Sequence, residues 1–227
     1  MITSRQNETL KLVRKLRQRS WRDKLGLFVA EGDDLVVAAG TAGIVPVELL
    51  RAGENVEPEL LAEVSTLAHP PRVLGVYRRA DLPSGPLEGV GLALWHVSDP
   101  GNVGTLLRCA DAFGPSFVAL SDGCADITGA KALRASAGAV FRVPTAPFST
   151  APRPWIALVA HGGRPLPEVE VPSRATFLLG SEREGLPEDL VTDCYLVASL
   201  PMRGAAESLN VALAGAIALY EASRASG

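Results

Sequence analysis

Cysteine is scarce: Cys109, Cys124 and Cys194 stand singly among 227 residues. Three scattered thiols cannot make a disulfide framework, and they lack the paired spacing of a zinc site. They read as buried, reduced thiols of a cytoplasmic protein, and no metal is expected. Long hydrophobic runs are also missing, since none approaches the roughly 20 residues that a bilayer-spanning helix needs. The opening MITSRQNETLKLVRKLRQRS is basic with no apolar h-region behind it, so the chain reads as soluble and unexported. GxGxxG after the first strand and GxxxxGK(S/T) anywhere are absent, which disfavours the usual nicotinamide enzymes and nucleoside triphosphatases. Charge of one sign is missing too: the net charge of −3 does not mark a nucleic-acid binder.

What is present is an uneven charge distribution and 47% apolar residues, enough for a core in each of two units. Residues 1–24 hold Arg5, Lys11, Arg14, Lys15, Arg17, Arg19, Arg22 and Lys24 against Glu8 and Asp23 only. Such a stripe is either a solvated helix face or a track for phosphates. Leu10, Val13 and Leu16 at helical spacing predict an amphipathic helix over about 7–19. Strands near 27–29, 45–50 and 73–77 and helices over 33–39 and 58–67 complete a small α/β unit. The stretch RRADLPSGPLEG, Arg78 to Gly89, is the linker, with a boundary near residue 85. Beyond it come strands at 92–95, 117–120, 140–143, 156–160, 177–179 and 195–197. Helices over 103–113, 130–137 and 207–224 accompany them. This alternation predicts an α/β fold with a mostly parallel sheet covered on both faces.

Three clusters follow strand-like runs: DPGNVGTLLRCADAFG (Asp99 to Gly114), LLGSEREGLPE (Leu178 to Glu188) and LPMRGAAESLNVALAG (Leu200 to Gly215). Strand ends are where open α/β sheets hold ligands, so the clusters read as one pocket. Any single glycine or helix-opening Asn or Ser among them has a plain reading as a turn or cap. Arg108 differs. It follows Val103, Leu106 and Leu107 on a helix expected to be largely buried, where a guanidinium needs an anionic partner.

The spacing Asn102-x-Gly104-x-x-x-Arg108, the segment Gly180-Ser181-Glu182 and the run from Leu200-Pro201-Met202 to Ser208-Leu209-Asn210-Val211-Ala212 resemble motifs 1, 2 and 3 of the SpoU/TrmH family. These are RNA ribose 2′-O-methyltransferases of the SPOUT superfamily. Lys131 to Pro144 resembles the segment linking the first two motifs, and residues 4–39 resemble the family's small substrate-binding domain. The resemblance therefore covers nearly the whole chain. Two departures stand out: Asn7 is followed by Glu8 rather than proline, and residues 145–155 are short and proline-rich where relatives often carry a helix.

The resemblance implies a C-terminal trefoil knot that binds S-adenosylmethionine, with a substrate-binding domain over 1–85 and a catalytic domain over 86–227. Carried over by position, Ala160, His161, Gly162, Gly180, Leu200, Met202, Ser208 and Leu209 hold the cofactor. Arg108, Asn102, Glu182, Ser208 and Asn210 form the catalytic set. Arg5, Lys11, Arg14 and Arg17 are expected to track RNA phosphates, and a homodimer is implied. The implied substrate is a ribose 2′-hydroxyl, in 23S ribosomal RNA by preference. A transfer RNA substrate, or a silent RNA-binding or ribosome-assembly protein on the same fold, remain the alternatives.

Overall fold

The computed structural model describes residues 1–202, 204 and 207–225. Arg203, Ala205 and Ala206 of the third cluster lie outside them. The chain opens with α1 (Glu8–Leu16), capped by the Asn7 side chain, which accepts from the Thr9 and Leu10 amides. The single helix expected over 7–19 is in fact two: α2 (Arg19–Leu25) starts afresh and ends at Gly26 in the left-handed conformation. β1 (Leu27–Glu31), α3 (Asp33–Thr41), β2 (Glu48–Arg51), α4 (Pro58–Val64) and β3 (Val73–Arg78) follow. The three strands form an antiparallel sheet in the order β1-β3-β2. Leu10, Val13 and Leu16 pack with Leu50, Leu61, Val64 and Leu74 in a core of their own.

The rest of the chain builds a seven-stranded sheet in which every pairing is parallel. Its elements are β4 (Val90–Leu94), α5 (Pro100–Ala112), β5 (Val118–Leu120), α6 (Ala130–Ser136), β6 (Thr145–Pro147), β7 (Trp155–Val159), β8 (Arg164–Pro165), β9 (Ala175–Leu179), α7 (Glu188–Thr192), β10 (Leu196–Ser199) and α8 (Val211–Ala225). The order is β6-β5-β4-β9-β7-β10-β8. All five residues of β9 are buried, the signature of a strand covered on both faces, and it sits between β4 and β7. The strand expected over 140–143 is a 3₁₀ turn at Ala139–Phe141, and the edge strand begins at Thr145 instead. Val140, Phe141 and Val143 are apolar because they fill the core, not because they pair in a sheet.

The two sheets share a core. Phe28 and Tyr77 of the first meet Phe141, from the 3₁₀ turn that packs beside the second, at ring separations of 6.2 and 5.7 Å. Around this cluster runs an ion-pair network. Arg22 and Arg79 both contact Asp126 Oδ2, at 2.7 and 2.6 Å, and Arg79 also reaches Asp23 at 2.7 Å. The Arg22 and Asp126 side chains are each only 8% exposed, so the pair carries a desolvation cost that its geometry must offset. Burial raises the Asp126 pKa, but hydrogen bonds from the Thr128 hydroxyl and amide, with the Arg79 and Arg22 charges, outweigh it and hold the carboxyl below its ordinary range.

The cysteines are all free, but only Cys124 is buried; Cys109 and Cys194 are half-buried, correcting the uniform expectation. Burial raises both of their thiol pKa values. Among the described residues no helix is long and apolar enough to cross a membrane, and no group of three or more acidic, His or Cys side chains could hold a metal ion.

Candidate active site

Parallel strands deliver their following loops to one edge of the sheet, and the loops after β4, β7, β9 and β10 meet there. Residues 158–161 after β7, 179–186 after β9, Leu200 and Met202 after β10, and 207–211 before α8 enclose a cavity of about 740 Å³. Gly180 is what allows the β9 loop to turn so sharply. A Cβ on Gly180 would lie 2.0 Å from the Gly185 carbonyl carbon and 2.4 Å from the Leu186 nitrogen, so the loop folds back directly over it. The lining mixes Leu158, Leu179, Leu200 and Leu209 with the carboxylates of Glu182, Glu184 and Glu207.

A second cavity, of about 580 Å³, lies beside the first and shares Ser181, Glu182, Arg183 and Glu184 with it. His96, Ser98, Asp99 and Asn102 form its other wall. Glu182 therefore faces both spaces. Its Oε1 accepts from Asn102 Nδ2 at 2.7 Å, and Asn102 Oδ1 accepts from Asn210 Nδ2 at 3.1 Å. Asn210 Oδ1 in turn receives the Ala212 and Leu213 amides, capping α8. One residue from each sequence cluster thus enters a single hydrogen-bonded chain.

The local sequence explains the placement of Asn102. Asp99 is the N-cap of α5 and accepts from the Asn102 amide at 3.0 Å, with Pro100 next to it at the first helical position. Since Asp99 does the capping, the Asn102 side chain is released to reach across to Glu182. Lys131 from α6 holds the other Asp99 oxygen at 2.7 Å, and this bond, with the Asn102 amide, depresses the Asp99 pKa. Gly104 has a packing role. A Cβ there would meet the Ala132 carbonyl oxygen at 2.3 Å, because α6 lies against α5 at that point.

The SpoU rRNA Methylase family model matches residues 89–220, more than half of the chain. This protein belongs to the SpoU family. It is 30% identical over 96% of its length to the Bacillus subtilis 23S rRNA (guanosine(2553)-2′-O)-methyltransferase RlmP, covering 97% of that protein. Among solved structures, the AdoMet-bound rRNA methyltransferase of Sinorhizobium meliloti superposes with a TM-score of 0.87 at 29% identity, covering 98% of this chain and 97% of that one. The AdoMet complex of the SpoU methyltransferase AviRb from Streptomyces viridochromogenes gives 0.85 at 25% identity, with 96% and 98% covered.

Against the SpoU pattern, the structure gathers some expected residues and leaves others apart. Ala160, His161, Gly180, Leu200, Met202, Ser208 and Leu209 all line the larger cavity. Gly162 does not; it sits at positive φ in the turn between β7 and β8. Ser208 is not a helix cap, since α8 begins at Val211 and Asn210 caps it. Arg108 contradicts the sequence reading. It is exposed, lines neither cavity, and makes no hydrogen bond or ion pair among the described residues. The buried stripe of α5 is Val103, Gly104, Leu106, Leu107 and Ala110, and the helical period turns position 108 away from it.

The basic stripe makes contacts of its own within the protein. Arg5 pairs with Glu63, and Lys11 with Glu8. Arg14 donates to the Arg5 carbonyl, and Arg17 to the Glu63 and Ser65 carbonyls. All four are engaged within the protein. Two site features lay outside the sequence reading: Asp99, whose Asp-Pro helix start was a usable signal, and His96. His96 holds φ of 53° and stacks on Trp95 with ring centroids 4.6 Å apart. Nothing local in the sequence marks His96.

Proposed function

We propose that the protein transfers a methyl group from S-adenosylmethionine to a ribose 2′-hydroxyl of RNA, with large-subunit ribosomal RNA as the preferred substrate. The observation that carries this reading is the pair of adjoining cavities with Glu182, held by Asn102, between them. The larger cavity suits the cofactor chemically: leucines for a flat heterocycle, and a surplus of carboxylates for a ligand carrying a sulfonium and an ammonium group. Ala160, Gly180, Leu200, Met202 and Leu209 would hold it there. When bound, it supplies a methyl group already activated by positive charge on sulfur.

The protein's own task is then to orient the hydroxyl and manage its proton. Glu182 Oε2 accepts no hydrogen bond among the described residues and is free to accept from the ribose hydroxyl. Asn102 and Asn210 fix the carboxylate that does so. Arg108, a permanent cation, binds a phosphate and stabilises developing negative charge rather than acting as a base.

Arg108 reaches neither cavity within one chain, which fits a homodimer in which it serves the partner's site. Leu213, Ile217 and Tyr220 on the outer face of α8 are 57%, 39% and 49% exposed, an apolar strip for a second copy to cover. Mixing inactive Arg108→Ala and Glu182→Ala chains should then restore part of the activity; no recovery in verified heterodimers would exclude a shared site. In this reading residues 1–85 recognise RNA, residues 86–227 carry out transfer, the C-terminal segments form the knot implied by the family, and the protein works beside ribosomes in the cytoplasm.

The direct test is transfer of tritium from labelled S-adenosylmethionine to deproteinised ribosomal and transfer RNA, followed by nuclease digestion. A labelled 2′-O-methyl nucleoside in large-subunit RNA supports the whole reading. Label confined to transfer RNA overturns the substrate assignment but keeps the chemistry. Cofactor binding without transfer to free RNA or ribosomal particles would make it a silent RNA-binding protein.

A further inference from the structure

The cations of residues 1–24 fall into two groups. Arg5, Lys11, Arg14 and Arg17 are tied down as described above. Arg19 is engaged by Asp23 and by the Cys124 carbonyl, and Arg22 is buried against Asp126. Lys15 and Lys24 remain: both are exposed, and neither pairs with an anion among the described residues. They converge instead on the indole of Trp21, with Nζ atoms 5.1 and 5.0 Å from its ring centroid.

Trp21 has no evident structural duty. It is half-buried, belongs to none of the three apolar cores, and its indole N–H donates to nothing among the described residues. At an exposed site each such cation–π contact is worth only about 0.5–1 kcal/mol, so a ligand that offers the ring and the ammonium groups stronger partners can displace them. Unpaired nucleotides supply such partners: a base to stack on the indole and phosphates for the ammonium groups.

The corner is also coupled to the site. Arg19 and Arg22 fasten α2 to residues 124–126, and neighbouring Gly123 packs against His96, with its would-be Cβ 3.2 Å from the imidazole. His96 lines the cavity that contains Asn102 and Glu182.

We propose that Lys15, Trp21 and Lys24 form an RNA-docking site that stacks one unpaired base and neutralises the phosphates on either side of it. This rests on the RNA methyltransferase reading but adds a contact outside the reaction centre. It also moves the principal RNA contact from the paired stripe of α1 to the α1–α2 corner.

The test is filter binding of the full chain to deproteinised 23S ribosomal RNA over a range of salt, alongside S-adenosylmethionine binding and thermal unfolding. Trp21→Ala should weaken RNA binding by roughly tenfold, the lower part of the range for a lost stacking contact, with the salt slope unchanged. Trp21→Phe should recover most of that loss and Trp21→Leu little of it, a difference that lost side-chain bulk alone would not explain. The double variant Lys15→Ala/Lys24→Ala should lower the slope of log affinity against log salt by about 1.4, or about 0.7 per cation on single strands. Lys11→Ala, which removes a cation already paired, should change the slope less. Wild-type affinity and slope in the Trp21 and double-lysine variants would overturn the docking site while leaving the methyltransferase reading intact. Weakened binding in a protein that transfers no methyl group would do the reverse. A wild-type chain that binds neither free RNA nor ribosomal particles would overturn both.

Discussion

Two polar networks each draw together distant parts of this chain, and they are built on opposite principles. The Arg22–Asp126–Arg79 network is ionic, and its central pair is buried. The Glu182–Asn102–Asn210 chain hangs one carboxylate on two amides in series and lines two cavities. In the first, opposite charges are matched inside the protein, so the network fixes how the small sheet sits against the large one. In the second, hydrogen-bonding capacity is left over for a ligand. Matched charge sets geometry, whereas unspent capacity supplies chemistry.

The sharpest way to break this comparison is to cut the buried network. Asp126→Ala leaves two guanidinium groups without their acceptor and should cost about 3–5 kcal/mol of unfolding free energy, read by denaturant titration. The pH dependence follows the same logic. Because the folded Asp126 pKa lies below its ordinary value, its stabilisation is present above about pH 4 and is lost as pH falls through the depressed folded value. The wild type should therefore lose stability with acid more steeply than Asp126→Asn.

Glu182→Ala should behave oppositely. Turnover should fall by roughly 10²- to 10³-fold, the scale of losing one preorganised polar contact, with stability within about 0.5 kcal/mol of wild type. A large loss of stability with modest loss of rate would move this residue into the structural class. Gly104→Ala tests the packing of α5 on α6. The added methyl meets α6 backbone, so a destabilisation of about 1–3 kcal/mol is expected, with intact cofactor affinity in the folded fraction. The smallest effect has the opposite sign. The buried Tyr77 hydroxyl has no hydrogen-bond partner among the described residues, and burial raises its pKa, so Tyr77→Phe should stabilise by about 1 kcal/mol.

Several of these features could be read in the sequence because local rules govern them. The alternation of strands with helices predicts a mostly parallel sheet covered on both faces, and the wholly buried β9 agrees with it. Likewise, clusters after strands predict a site at one edge, and the resemblance to the SpoU motifs implies Asn102, Glu182 and Asn210 as members of it. Other features escaped because they depend on who the neighbours are. Val140–Val143 carries a strand-like composition, yet its residues pack into the interior in a 3₁₀ turn. Arg108 looked buried because its flanking residues are apolar, but a helix buries a stripe and not a segment.

The basic stripe carries the same lesson in electrostatic form. The chain alone determined that residues 1–24 hold eight cations and two anions, along with the amphipathic period of α1 and the strand-end positions of the three clusters. Only the tertiary structure decided which cations stay available. Glu63, Asp126 and the carbonyls of residues 63, 65 and 124 come from remote positions and engage six of the eight cations with Glu8, Asp23 and Arg5, leaving Lys15 and Lys24 on Trp21. Backbone propensity and hydrophobic period act over a few residues and are written locally. Charge pairing and cavity formation act through space, and packing alone selects the partners.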